Sequence, residues 1–362
     1  MIYFDHNATT PLDERVLQAM LPFLTHFYGN PSSLYKLARL SRSAIDTARE
    51  QVAQLVHARP EQVIFTSGGT EANNLALKGT QKSTNLLTSA FEHPSILESG
   101  KAELVSVNSQ GYIDQIDLKK KLNQNFDLAS FMLVNNETGV IQDIASLSSL
   151  LKGKATLSHT DAVQAAGKIP IDFQTLGVDF MSISSHKIYG PKGSGALIGS
   201  LDHITKPLLA GGGQELGLRS GTENVAAIVG FGKAAELAYA ELEQRQAHCL
   251  QLRQYLEQQL CELSGVLIFA QASQRIANTV QFGIEHCIGE MVLMQLDRKN
   301  IAVSSGSACA SNEPSVSHVL SAMGIKKSIA QSAIRVSLGK DNTLQEVDTF
   351  VQTLKQIIEQ AR

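Results

Sequence analysis

The feature that most constrains the fold is a repeating alternation. Short apolar runs at 63–66, 86–88, 104–107, 131–134, 155–160 and 178–183 each end in polar or glycine-rich residues, with amphipathic stretches between several of them. Runs of this length read as buried strands. The intervening patterns read as helices, among them 13–27 capped by Asp13, a long one opened by Ser33, 114–122 and 143–151. Repeated strand–helix alternation predicts an α/β fold, a mostly parallel sheet covered on both faces. In such sheets ligands bind beyond the carboxyl ends of the strands. At 362 residues the chain exceeds what one core usually holds, so a second domain is expected. We read 14–243 as a large α/β domain and 244–362 as a smaller α+β domain, with 1–13 packing against the smaller one. A long helix over 223–260 is read as the bridge. Beyond it come strands near 266–269, 279–283, 301–304 and 334–338, and helices near 289–298, 315–323 and 343–361.

The strand end at 182–193 reads Ser-Ile-Ser-Ser-His-Lys-Ile-Tyr-Gly-Pro-Lys-Gly. Gly190, Pro191 and Gly193 stop any simple continuation of strand or helix, and a second apolar run resumes at Gly195. Lys187 is therefore framed between two buried segments. Confinement of this kind suits a lysine that must be neutral to attack a carbonyl.

Other strand ends carry matching chemistry. His93, Asn136, Asp161 and Gln164 each follow an apolar run at the same end. After 63–66 comes Ser67-Gly68-Gly69-Thr70-Glu71 and then a helix, a strand–turn–helix unit whose free N–H groups attract an anion. It lacks the Gly-Lys-Ser/Thr ending of a P-loop. Together these groups form the kit that pyridoxal 5'-phosphate requires. Lys187 can form an imine, and Asp161 is an anion that could hold the pyridinium nitrogen protonated. His93 is an aromatic ring that could stack on a flat cofactor, and Gln164 could bond a phenolic oxygen. Gly69, Thr70, Ser184 and His186 could bind the phosphate, with Thr222 as a further candidate.

Formal net charge is −3 without a basic block, which argues against nucleic acid or an anionic membrane as partner. No apolar run approaches the ~18 residues of a membrane span, and the start shows no signal-peptide pattern. A cytoplasmic location is expected. The four cysteines, Cys249, Cys261, Cys287 and Cys309, match no metal-ligand spacing, so no metal site is expected. Cys249 and Cys261 fall in a helical stretch. Cys309 sits among Ser, Gly, Ala and Asn with little to pack against, the setting of a reactive thiol.

In this set of motifs the chain resembles the group I (NifS/IscS-like) cysteine desulfurases of the class V aminotransferase family, on the fold-type I pyridoxal-phosphate scaffold. The resemblance spans essentially the whole chain. It rests on Asp5-His6-Asn7-Ala8-Thr9-Thr10-Pro11, Gly29-Asn30-Pro31-Ser32-Ser33, Thr66-Ser67-Gly68-Gly69-Thr70-Glu71, Glu92-His93, Asn135-Asn136-Glu137-Thr138-Gly139, Asp161-Ala162-Val163-Gln164, Ser185-His186-Lys187, Arg219-Ser220-Gly221-Thr222, Ser304-Ser305-Gly306-Ser307-Ala308-Cys309 and Arg335-Val336-Ser337. The resemblance implies conversion of L-cysteine to L-alanine with a persulfide formed on Cys309. It implies Lys187 and His93 as proton-transfer groups, and Arg335 with Asn136 as binders of the substrate carboxylate. It also implies a homodimer in which Thr222 completes the neighbouring phosphate site. The sulfur would pass to an acceptor protein, an iron–sulfur scaffold or a transfer-RNA thiolation carrier. Ser185 departs from the Gly or Ala usual at its position.

Overall fold

The structure, a computed structural model, describes residues 1–80, 85–154, 156–305 and 316–361. The chain opens with β1 (Ile2–Tyr3). Seven strands then form one sheet: β2 (Val63–Thr66), β3 (Leu86–Ser89), β4 (Ala102–Val105), β5 (Leu128–Ser130), β6 (Leu157–Asp161), β7 (Phe180–Ser184) and β8 (Gly195–Gly199), in the order β2-β8-β7-β6-β5-β3-β4. Every ladder is parallel except the two made by β8. The exception has a simple cause. A parallel return needs a crossover of a dozen or more residues, and the segment 185–194 is too short to supply one. β2 is antiparallel to β8 in turn, so the carboxyl ends of β2, β3, β5, β6 and β7 share one edge of the sheet.

β2 is an edge strand, and its outer polar groups are covered. Arg49 Nη1 donates to Val63 O at 2.6 Å, and Glu215 Oε2 accepts from Phe65 N at 2.9 Å. Arg49 and Glu215 pair with each other at 2.6 Å. This closes the edge to strand addition and fixes the loop that leads to Thr222.

A second core lies beyond this sheet. β9 (Val266–Ile268), β10 (Thr279–Ile284) and β12 (Ile334–Ser337) form an antiparallel sheet in the order β12-β10-β9. β11 (Ile301–Ala302) pairs with β1 in parallel, matching Ile2 to Ile301. Phe4 is fully buried in the cluster that includes Leu256, Phe282, Val336 and Phe350. The first residues of the chain thus pack with residues of the last third. Val319, Leu320 and Met323, by contrast, belong to the first core.

Three expectations are corrected in detail. The strand read at 131–134 lies at Leu128–Ser130. At 131–134 the Phe131 and Leu133 N–H groups still reach β6, at His159 O and Asp161 O, but on the β3 side the Met132 N–H goes to the buried Glu92 carboxyl at 2.9 Å. The long helix opened by Ser33 begins instead at Lys36, leaving Leu34 exposed. The bridge read over 223–260 is two helices, Val225–Ala240 and Leu242–Cys261. They break at Glu241, whose carboxylate is held by Arg15 at 2.5 Å and Arg245 at 2.7 Å. No helix among the described residues is long and apolar enough to cross a membrane.

Candidate active site

β7 ends at Ser184 and the chain tightens into the turn Ser185–Lys187. Tyr189 follows with φ +69°, a left-handed conformation costly for a bulky residue. The N-terminal segment holds it there. Tyr189 N donates to Thr10 Oγ1 at 2.8 Å, and Asp13 N donates to Tyr189 O at 3.0 Å. Gly190 has no alternative, since a Cβ there would lie 2.0 Å from Ser185 Oγ. Lys187 Nζ donates to the carbonyls of Asn7 at 2.5 Å and Ala8 at 2.7 Å.

Asp161, the last residue of β6, is buried. Its Oδ1 accepts from Val163 N at 2.9 Å and its Oδ2 from Asn73 Nδ2 at 2.7 Å. The same Asn73 nitrogen donates to Ser95 Oγ at 2.9 Å, and Ser95 Oγ lies 2.8 Å from His93 Nδ1. A polar chain therefore runs from Asp161 through Asn73 and Ser95 to His93. His93 Nδ1 also accepts the Ser95 N–H at 3.1 Å, which places the ring proton on Nε2. Burial lowers the His93 pKa; Asp161 opposes this, while Lys187 and His318 reinforce it.

Gln164 Nε2 donates to Asn7 O at 2.9 Å, beside Lys187. On the other side of the Lys187 turn, an open cleft is lined by Gly69, Thr70, Ser184, His186 and Lys192. Helix Gly69–Lys78 points its N-terminus into this cleft, where unpaired N–H groups favour an anion. Gly69 must be small, because a Cβ would sit 2.7 Å from Val163 Cγ2. Ser184 Oγ is buried and has no hydrogen-bond partner among the described residues. Burial, with Lys187, Lys192 and Lys168 nearby, lowers the His186 imidazole to about 4, so it is neutral near pH 7. An orphaned hydroxyl, a glycine turn, a helix N-terminus and Lys192 suit a phosphate group.

Arg335 rises from β12. Its Nη1 donates to Asn136 O at 3.0 Å and its Nη2 pairs with Asp5 at 2.8 Å, while its Nε has no partner among the described residues. Arg335 and Asn136 thus meet, as expected of a joint site. Thr222 is exposed and does not line the cleft. Cys309 lies outside the described residues.

The family model for aminotransferase class-V matches residues 2–350. A cysteine desulfurase IscS from Dictyoglomus turgidum is 41% identical, with 100% of this chain and 95% of that protein covered. This chain belongs to the cysteine desulfurases. Among solved structures, a NifS-like protein from Rickettsia africae superposes with a TM-score of 0.91 at 36% identity, over 99% of each chain. The protein SspA, solved in complex with cysteine, gives a TM-score of 0.83 at 31% identity, over 95% of this chain and 100% of that one. Cysteine desulfurases of this class are pyridoxal-phosphate-dependent and share the fold-type I scaffold. In this one, Asn7, Asn73 and Lys168 sit at the centre of the polar network although the residue pattern gave them no role. Lys168 had one legible signal, a position four residues after Gln164. Asn73 had none, because its helix face is set by tertiary packing.

Proposed function

We propose that this protein takes the sulfur from L-cysteine, releases L-alanine and carries the sulfur as a persulfide on Cys309. The substrate C–S bond breaks and a bond forms between the substrate sulfur and the Cys309 sulfur. The C–S electron pair stays with carbon, which takes up a proton in place of the one lost by the Cys309 thiol. The observation that carries this reading is the meeting at one sheet edge of Lys187, Asp161, an anion cleft and Arg335 with Asn136.

Pyridoxal 5'-phosphate, when bound, supplies a sink for the electron pair left at the substrate Cα. Lys187 attaches it through Nζ, and Asp161 stabilises a proton on the ring nitrogen. Gly69, Thr70, Ser184 and His186 hold the phosphate, with Thr222 of a second copy completing the cradle. Gln164 has a second amide N–H to give to the phenolic oxygen. The neutral His93 ring stacks on the cofactor and moves a proton at Nε2. Arg335, through its unpartnered Nε, and Asn136 hold the substrate carboxylate.

Homodimerisation is supported by exposed apolar groups near the Thr222 loop. Arg42 pairs with Glu223 at 2.8 Å, and just before Arg42 on the chain Leu34 is 89% exposed and Tyr35 53% exposed. We place the protein in the cytosol, where the persulfide passes to an acceptor protein, an iron–sulfur scaffold or a transfer-RNA thiolation carrier. We take 14–243 and 244–362 as its domains.

The test is incubation of the loaded protein with L-cysteine. The expected outcome is L-alanine by chromatography and one added sulfur on the Cys309 peptide by mass spectrometry. Cys309→Ser should keep the cofactor absorbance and lose both products. Full-rate alanine release by that variant would sink the reading.

A further inference from the structure

The segment 7–10 wraps the Lys187 turn. Thr10 N and Thr10 Oγ1 both donate to His186 O at 3.0 Å. Asn7 is the hub of this segment. Its O accepts from Lys187 Nζ at 2.5 Å and from Gln164 Nε2 at 2.9 Å. Its N donates to Ser337 Oγ at 2.9 Å, its Nδ2 to Thr279 Oγ1 at 2.8 Å, and its Oδ1 accepts from Asn278 Nδ2 at 3.1 Å.

The remaining arm is Lys168. Its Nζ donates to Asn7 Oδ1 at 2.8 Å and to Gln164 Oε1 at 2.7 Å. Lys168, Asn7 and Gln164 thus close a ring of hydrogen bonds beside the Lys187 amine. Lys168 keeps some accessible surface, yet its amine is held inside between these two side chains. Burial, then Lys187 and Arg335, hold its pKa well below the ordinary lysine value. Among the described residues, the groups that shift it include no carboxylate. An interior amine without a counter-ion is costly, and an apolar side chain of similar volume would avoid that cost. What the amine does provide is the lock on the two groups that border Lys187.

We propose that Lys168 is a positioning residue for proton transfer by Lys187, holding Asn7 and Gln164 so that the Asn7 and Ala8 carbonyls form the resting place of the Lys187 amine. The inference rests on the desulfurase reading above. When Lys187 is released by the incoming substrate, its neutral amine takes the Cα proton and becomes an ammonium. The C–H electron pair stays on the carbon side. Two N–H bonds of that ammonium point to Asn7 O and Ala8 O, and the third carries the proton it delivers.

Lys168→Met keeps the stem and removes the donor. In the loaded enzyme, kcat for alanine formation should fall on the order of 10²-fold, the effect of misplacing a reacting group by about 1 Å. KM should hold, and the isotope effect with Cα-deuterated L-cysteine should rise. A merely structural role would lower the melting temperature without moving the isotope effect. Lys168→Arg, which still donates, should recover part of the loss. Wild-type kcat and isotope effect in Lys168→Met would overturn the inference. Absence of alanine from the wild type would instead overturn the desulfurase reading. Should Lys168→Met not fold, a structure of the loaded wild type with L-alanine displacing Lys187 decides. The freed Nζ within hydrogen-bond distance of Asn7 O and Ala8 O supports the inference, and Nζ beyond reach of both refutes it.

Discussion

Glu92 offers a measurable consequence of burial at the site. It is fully buried where β3 leads to His93. Its Oε1 accepts from Ser89 Oγ at 2.5 Å and from Met132 N at 2.9 Å, while Oε2 has no partner among the described residues. Burial pushes its carboxyl up to about 8 against an ordinary 4.5; the two hydrogen bonds oppose this and Asp161 adds to it. Between those values the unfolded chain releases a proton that the folded protein keeps. Stability from this group is fully present below 4.5 and is lost as pH rises toward about 8. At about 1.4 kcal/mol per pH unit, the total loss is up to about 5 kcal/mol. Glu92→Gln copies the shape of the protonated acid and cannot ionise. Its amide oxygen can take both hydrogen bonds, so near pH 5 the variant should match the wild type within about 1 kcal/mol. Near pH 8.5 it should exceed the wild type by about 4 kcal/mol. Urea unfolding across this range, followed by far-ultraviolet circular dichroism, measures the difference directly, since all other titrating groups are shared. Parallel pH profiles for the two proteins would refute the reasoning.

Two further outcomes are expected. Ser184→Ala deletes a buried hydroxyl that has no hydrogen-bond partner among the described residues. The melting temperature should stay or rise slightly, while pyridoxal phosphate affinity in a fluorescence titration should drop about tenfold, the worth of one hydrogen bond to a charged group. Asn73→Ala removes the donor to both Asp161 and Ser95. It should cost about 1–3 kcal/mol in thermal stability and shift the pH titration of the visible cofactor band, read by absorbance.

The sheet was legible because each strand is a short buried run that stops at polar groups, and β2 falls where the pattern puts it, Val63–Thr66. The strand ends were legible for the same reason. What failed depended on side chains far away in sequence. The stretch 131–134 is as apolar as a strand and keeps two bonds to β6, but on the β3 side Glu92 takes the Met132 N–H that a ladder would use. The break at Glu241 is set by Arg15, 226 residues distant. Lys187, Asp161 and Gln164 could be named from their strand-end positions. Asn73 could not, and Lys168 only by its spacing from Gln164, because most of their contacts arise from packing between segments that periodicity treats separately. The Arg335–Asp5 pair joins side chains 330 residues apart, and the residue pattern carries no sign of it.

The bond from Asn7 N to Ser337 Oγ spans 330 residues. At ribosomal rates of 5–20 residues per second, the N-terminal segment waits roughly 15–65 s for that partner to be made. For most of that interval Ile2, Tyr3 and Phe4 lack β11, and throughout it they lack the completed second core that shelters them in the finished protein. Lys187 and Asp161 emerge long before the site they belong to can close. The newborn chain therefore holds a nearly complete sheet with an unfinished wall. Competence to take up cofactor should arise as a late step, after Ser337 is made, rather than with formation of the sheet.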